Sequence, residues 1–233
     1  MQPRPVDRQI AVAALTLGGA VGVFAIAFGV GAVAAGASVA QTCAMSLLVF
    51  TGASQFSAVS VVAEGGSTGA ALGGAMLLAA RNAVYGLAVS RVIRGGLATR
   101  LLAAQWTIDE TTAMATAQPD PRAQRFAFWV TGASVYGCWN VGTLIGALAG
   151  SAIDPQTYGL DAAFPAGFVA MVAPQLRRPI GLLVGVLGAT ICLVLIPFTP
   201  VGVPILCSSA AVLVGIPARR LQAESIPGTA GVP

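Results

Sequence analysis

The sequence predicts an all-α integral membrane protein with about seven transmembrane helices. Three observations predict it. Of the 233 residues, 56% are hydrophobic and only 9% are charged, against about 25% charged in a soluble domain. Apolar runs recur at the length a bilayer demands, roughly 20 residues per helix. The charges gather at the ends of those runs instead of being spread over a surface. The chain also holds 29 glycines; small residues let membrane helices approach closely where lipid supplies no hydrophobic drive between them.

The runs are taken in order. The first covers Ile10 to Ala35, the second Ala44 to Ala63 and the third Gly69 to Arg91. The fourth covers Phe126 to Gly150, and the short fifth Asp161 to Leu176. The sixth covers Ile180 to Phe198 and the seventh Val201 to Ile216. Glu64-Gly65-Gly66-Ser67 is a turn cluster between the second and third runs. Between the third and fourth, Leu97 to Met114 mixes apolar residues with Arg100, Asp109 and Glu110 and reads as an interfacial helix. Residues 1–217 thus form a single polytopic domain, and the Pro- and Gly-rich residues 218–233 a disordered tail.

All twelve basic residues are arginine. Arg91, Arg94, Arg100, Arg122 and Arg125 mark the central loop as cytoplasmic. Arg177-Arg178 come two spans later and Arg219-Arg220 two spans later again, which puts the C-terminus inside. Seven spans then place the N-terminus outside; Arg4 and Arg8 oppose this unless an early run re-enters. Gly31-Ala32-Val33-Ala34-Ala35-Gly36 also resembles Gly146-Ala147-Leu148-Ala149-Gly150. That likeness suggests two three-span units of opposite orientation plus one span, the inverted-repeat plan of secondary transporters.

Several classes of function are excluded. Without histidine no Ser–His or Cys–His couple exists, and no P-loop is present. Cys43, Cys138, Cys192 and Cys207 form no C-x-x-C pair and read as small buried hydrophobes. The sequence therefore implies no enzyme, no metal and no cofactor, and its scattered arginines no nucleic-acid partner.

Polar residues at membrane depth are costly and become functional candidates by default. Arg81 lies inside the third run with Asn82 beside it and Tyr85 one turn on. It reads as a carboxylate-binding or gating charge, or as a side chain snorkelling to the interface. Ser54 and Gln55 belong to Thr51-Gly52-Ala53-Ser54-Gln55-Phe56-Ser57, a polar stretch within the second run. It reads as a broken helix whose free N–H groups suit a carboxylate and whose free carbonyls suit an ammonium, or as a hydrogen-bonded helix interface. In the fourth run Tyr136, Asn140 and Thr143 share a helix face, with Trp139 adjacent. Asp161 reads as a partner of Arg81 or of a substrate ammonium, or as an interfacial N-cap. Asp109 and Glu110 read as a solvated surface pair or as proton-coupling residues.

These residues recur in a pattern. Gly52-Ala53-Ser54-Gln55-Phe56, Arg81-Asn82 with Tyr85-Gly86, Gln105-Trp106-Thr107-Ile108-Asp109-Glu110, Trp139 with Gly142-Thr143 and Gly146, and Gly159-Leu160-Asp161 with Phe164-Pro165 follow in order. Together they resemble the AzlC-like family, the large permease subunit of branched-chain amino-acid exporters, over about Gly18 to Gly215. The resemblance implies a multi-pass protein of the bacterial cytoplasmic (inner) membrane. It implies a small hydrophobic AzlD-like partner subunit, and secondary export of leucine, isoleucine, valine and possibly methionine, driven by the proton gradient. One departure stands out: the family pattern has histidine after the arginine of the third run, and this chain has Asn82. Three other readings compete: a non-transporting scaffold or assembly subunit, a channel, and a transporter of another small zwitterion.

Overall fold

The computed structural model describes residues 5–152, 166, 169, 172, 173 and 175–214, all in helices and short connections with no strand among them. Most of the fifth run, with Asp161, and the tail lie outside the described residues, as do Phe164 and Pro165.

Two long helices form the frame. Helix α1 (Pro5–Ala34) and helix α8 (Pro121–Ala152) lie side by side. The cause is glycine. A Cβ on Gly22 would meet Cys138, one on Gly146 would meet the Ile26 backbone, and one on Gly150 would sit 3.0 Å from Val30 Cα. With glycines or small side chains between them the backbones approach closely along the seam. Gly18 opposes Ser134, Gly22 opposes Cys138 and Val30 opposes Gly150, so the two helices run in the same direction. At their N-terminal ends Arg122 donates to both oxygens of Asp7, at 3.1 and 2.8 Å.

Parallel packing corrects two expectations. The N-terminus of α1 lies at the same end of the bundle as Arg122 and Arg125, so it does not lie opposite the central loop. The Gly31–Gly36 and Gly146–Gly150 stretches run in the same direction, so they are not inverted counterparts.

The second run is not a span. It divides into α2 (Val39–Val49) and α3 (Gly52–Ala63). After α1 the chain turns at Gly36, whose φ of +95° suits glycine, and α2 starts at a capping box between Ser38 and Gln41. Helix α2 then descends beside α8, with Ser46 bonded to Thr143 and Tyr136 donating to the Leu47 carbonyl. At Phe50 the chain reverses. Helix α3 climbs back: Phe56 packs edge-on to Phe28 and to Trp139, and Ala58, Val59 and Val62 share a cavity with Ala32, Ala35 and Gly36 at the end of α1. The pair is a re-entrant hairpin, entering from the end opposite Arg122.

The third run spans. Helices α4 (Thr68–Ala79) and α5 (Arg81–Val89) form one crossing with an interruption at Ala80. It delivers Arg91 and Arg94 to the basic end, where Arg125 donates to the Arg94 carbonyl at 3.1 Å.

The expected interfacial helix is also a hairpin. Helix α6 (Leu97–Gln105) rises from the basic end, breaks at Trp106–Ile108, and α7 (Asp109–Thr116) returns. It is packed inside the bundle: Ala103 and Ala115 are buried with Val89 and Phe128. Thr111 holds the tip, donating to the Trp106 carbonyl at 2.7 Å and accepting from the Ile108 N–H at 3.0 Å.

The sixth run forms α9 (Pro179–Leu195), extended by a 3-10 turn through Phe198. Val201 then packs beside Gly66 and Gly202 on Val61 and Ala70, at the end opposite the basic one. The seventh run starts with α10 (Val203–Ser208) and is helical as far as Val214, too short to cross alone within the described residues. Val6–Ala34, Thr68–Val89 and Pro179–Phe198 are long and apolar enough to cross a bilayer. Helix α8, at 32 residues, reaches about 48 Å at 1.5 Å per residue and is more polar because it is walled by α1 and both hairpins. Leu48, Met76 and Leu87 are more than 70% exposed, as lipid-facing side chains are.

Candidate functional site

The two hairpin tips meet the interruption of the third span at one cavity of about 130 Å³. Phe50, Thr51, Gly52 and Ala53 come from the first tip, and Ile108, Asp109 and Glu110 from the second. Arg81 and Asn82 open α5, while Val21, Phe24, Val135 and Trp139 come from the frame. Each helix break places charge or backbone dipole here. At the first tip Phe50 adopts the left-handed conformation, φ 37°, as no other non-glycine described residue does. An aromatic residue there costs about 1–3 kcal/mol, and burial against Tyr136, with ring centroids 4.8 Å apart, holds it. Such strain concentrates at binding sites.

The carbonyl side and the amide side of the first tip differ. The α2 carbonyls are occupied: Gln105 donates to Leu47 and Leu48 at 3.1 and 3.0 Å, Tyr136 to Leu47 at 3.0 Å, and Gln55 to Met45 at 3.0 Å. The N-terminus of α3 has no side-chain cap, and its first residues, Gly52 and Ala53, line the cavity. A helix N-terminus carries roughly half a positive charge and favours anions. Arg81 adds a full one.

Opposite charge faces it. Arg81 Nη2 lies 3.5 Å from Asp109 Oδ1, with the two side chains 36% and 43% exposed. An ion pair this accessible is worth about 0–1 kcal/mol, so a charged ligand can replace it at little cost. Glu110 follows in α7, which is too short to span. Burial pushes its carboxyl up to about 7, and the neighbouring Asp109 charge pushes the same way. The remaining wall is apolar: Val21, Phe24, Phe50, Ile108, Val135 and the ring of Trp139. Thr51 Oγ1 and the Trp139 indole nitrogen are buried without a partner among the described residues, which suits a polar guest.

Of the residues singled out from sequence, Arg81, Asn82, Trp139, Asp109 and Glu110 line this cavity. Arg81 pairs with Asp109, and Asn82 stands where the family pattern has histidine. The others do not line it. Gln55 is fully buried and ties α3 to α2; Ser54 is buried behind the tip. Thr143 and Tyr136 fasten α2 to α8, and Asn140 donates to the Tyr136 carbonyl. Their shared face is real, but it holds a hairpin. Tyr85 lies one turn beyond Arg81, outside the lining. Asp161 is outside the described residues. The apolar wall escaped sequence reading, because nothing distinguishes Val21 or Val135 from other residues of apolar runs. The tips did leave a signal: Phe50-Thr51 and Trp106-Thr107 both set an aromatic-threonine pair just before a helix start.

A profile of the AzlC protein family matches residues 16–153. The chain belongs to this family. The matched segment holds most of α1, both hairpins, the interrupted span and α8, and so every lining residue of the cavity. The chain is also similar to the inner membrane protein YgaZ of Escherichia coli (strain K12), 30% identical over 165 residues, or 66% of each protein. The match thus spans just under two thirds of that relative's length. No solved structure matches the chain. Family and relative place this AzlC protein in a membrane.

Proposed function

We propose that the protein is the large subunit of a secondary exporter of branched-chain amino acids across the bacterial cytoplasmic membrane. One observation carries the reading: a single cavity with a positive side, a negative side and an apolar wall. The α-carboxylate faces Arg81 and the open N-terminus of α3. The ammonium faces Asp109 and Glu110. An aliphatic side chain rests on Val21, Phe24, Ile108, Val135 and Trp139. Bound substrate then takes the place of the Arg81–Asp109 pair, and the charges it meets are those the pair already holds.

Glu110 supports coupling to protons, because its carboxyl titrates near neutral pH beside the ammonium position. The basic end, with Arg8, Arg91, Arg94, Arg122 and Arg125, is cytoplasmic by the positive-inside rule. The N-terminus is then inside, and the last described residues run back from the outer end. Helix α9 buries none of its residues against the rest of the chain, which leaves a face for a small hydrophobic AzlD-like subunit.

The test is efflux of preloaded labelled leucine, valine, isoleucine and methionine from cells expressing the chain with and without its partner subunit. Saturable efflux is expected, lost about a hundredfold or more in Arg81→Gln with the membrane level of the protein unchanged; losing a charge-assisted contact to substrate is worth several powers of ten at most. Efflux by Arg81→Gln at the unsubstituted rate refutes the assignment of the carboxylate site.

A further inference from the structure

We propose a second ligand site at the basic end: a cavity that holds the phosphodiester headgroup of an anionic lipid. The cavity, of about 690 Å³, is lined by Arg91, Arg94, Arg122 and Arg125 on its polar side, and by Phe126 and Trp129 on its apolar side. It is separate from the transport cavity, with which it shares no residue.

Four arginines, two after the third span and two at the start of α8, line one space, and like charges gathered so closely favour an anion among them. The chain supplies only part of the compensation. Asp7 holds Arg122 in a two-point contact at 3.1 and 2.8 Å. Asp120 is spent on the backbone, accepting from the Arg122 and Ala123 N–H groups at 3.0 and 2.9 Å as the cap of α8. Arg125 is tethered through Nη2 to the Arg94 carbonyl at 3.1 Å. Among the described residues, Arg91 and Arg94 have no carboxylate within ion-pair distance. The tethers fix the two helix ends relative to each other, and two guanidinium groups are left to bind an anion. A phosphate oxygen pair matches a guanidinium fork.

The apolar side selects the source of that phosphate. Phe126 and Trp129 lie on α8 one and two turns beyond Arg122, deeper along the span than the arginines. Aromatic residues concentrate at the headgroup level of membrane proteins, and basic pockets between spans at the cytoplasmic side suit anionic headgroups. A lipid brings its phosphate to the arginines and its glycerol and first methylenes to the aromatic floor. A free phosphate ion has no use for that floor.

The experiment uses the full chain purified in detergent and scored by native mass spectrometry with equal amounts of phosphatidylglycerol and phosphatidylcholine of the same acyl chains. Retention of phosphatidylglycerol over phosphatidylcholine is expected, falling as sodium chloride is raised. Arg91→Gln/Arg94→Gln should weaken phosphatidylglycerol binding about 25-fold, since each basic residue near an anionic surface contributes about fivefold. Arg100→Gln, an arginine outside the cavity, should leave it unchanged. Inorganic phosphate alone should not displace the lipid. Equal retention of the two lipids, insensitivity of the unsubstituted protein to salt, unaltered binding in the double variant, or displacement by inorganic phosphate would each overturn the proposal.

Discussion

Gly146→Ala tests the frame on which both hairpins hang. A methyl group there would place its carbon 2.8 Å from the Ile26 carbonyl carbon, with the oxygen closer still. Ordinary contact begins near 3.4 Å, so α1 and α8 must part locally by at least 3.4 − 2.8 = 0.6 Å. Neither neighbour is a flexible side-chain end that can swing away; both are backbone. Overpacking of this kind costs about 1–3 kcal/mol. Gly137 is the control, because a Cβ there meets nothing within 4 Å. In a helix interior Gly137→Ala should gain up to about 1 kcal/mol from lower chain entropy. For a chain of this size each kcal/mol moves the unfolding temperature by about 2–4 °C. Gly146→Ala should therefore unfold about 2–12 °C below the unsubstituted protein, and Gly137→Ala at or slightly above it. With Cys43, Cys192 and Cys207 replaced, a thiol-reactive dye reports the transition at Cys138, which is half-buried on the seam against Gly22 and becomes more accessible as the helices part. Equal unfolding temperatures for the two variants would refute the parallel, backbone-to-backbone packing of α1 and α8.

Three further outcomes are expected. Between pH 4.5 and about 7, Glu110 is protonated in the folded chain and ionised in the unfolded one; unfolding releases protons, so stability falls as pH rises through that window and levels off above it. Glu110→Gln should flatten this slope in unfolding temperatures measured from pH 5 to 8, and an unchanged slope would assign it to another group. Gln105→Ala strips the Leu47 and Leu48 carbonyls of a shared donor and should lower stability by about 1–3 kcal/mol; a neutral substitution would show that the two tips are not tied. In a background lacking the four cysteines, single cysteines at Ser38 and Ser67 should label from one face of the membrane and those at Arg8 and Asp120 from the other. Labelling of Ser38 and Ser67 from opposite faces would make α2–α3 a span.

The class of the fold was legible because hydropathy reports it directly: the first, third, fourth and sixth runs are helices where apolar length placed them. The first hairpin was legible only as the re-entrant alternative for an early run, and the second not at all. Helices α2 and α3 together supply about as many apolar residues as one span needs, and hydropathy counts residues without registering a reversal of direction. The polar stretch from Thr51 to Ser57 did announce a break. Its position at Phe50 depends on a left-handed aromatic held by Tyr136, a tertiary fact that no local propensity contains. Counting the second run as a crossing sets the N-terminus at the end opposite the central loop; the re-entrant alternative, which Arg4 and Arg8 favour, sets both at one end, as the Asp7–Arg122 contact has them. Within the site, Arg81 was legible because a charge inside an apolar run needs a partner. That its partner is Asp109 was not, since the acids stood in a segment whose charge suggested a surface. Tyr136, Asn140 and Thr143 show the limit of face-reading: a polar stripe on one helix looks the same whether it meets a ligand or ties down a neighbour.

The arrangement also bears on how a path through the bundle opens and closes. Along α1 and α8 the contacts are backbone against backbone, which leaves no slack for sliding. The hairpins are held by side-chain packing, Phe56 on Phe28 and Trp139 in the first and Ala103 and Ala115 on Phe128 in the second, and by polar bonds near their tips. Gln105 and Tyr136 hold the end of α2, Gln55 links its two arms, and Thr111 closes the second tip. Each such bond contributes about 0.5–1.5 kcal/mol. The hairpins are the elements whose tips meet at the cavity. They enter from opposite ends and reach the same cavity, so displacing α2–α3 exposes it to one side and displacing α6–α7 to the other. Gln105 sits on the second hairpin and caps the first, so the two tips share one set of bonds. On the proposed function, that shared tie is what would let one hairpin register the position of the other, and alternation would need no rocking of the frame.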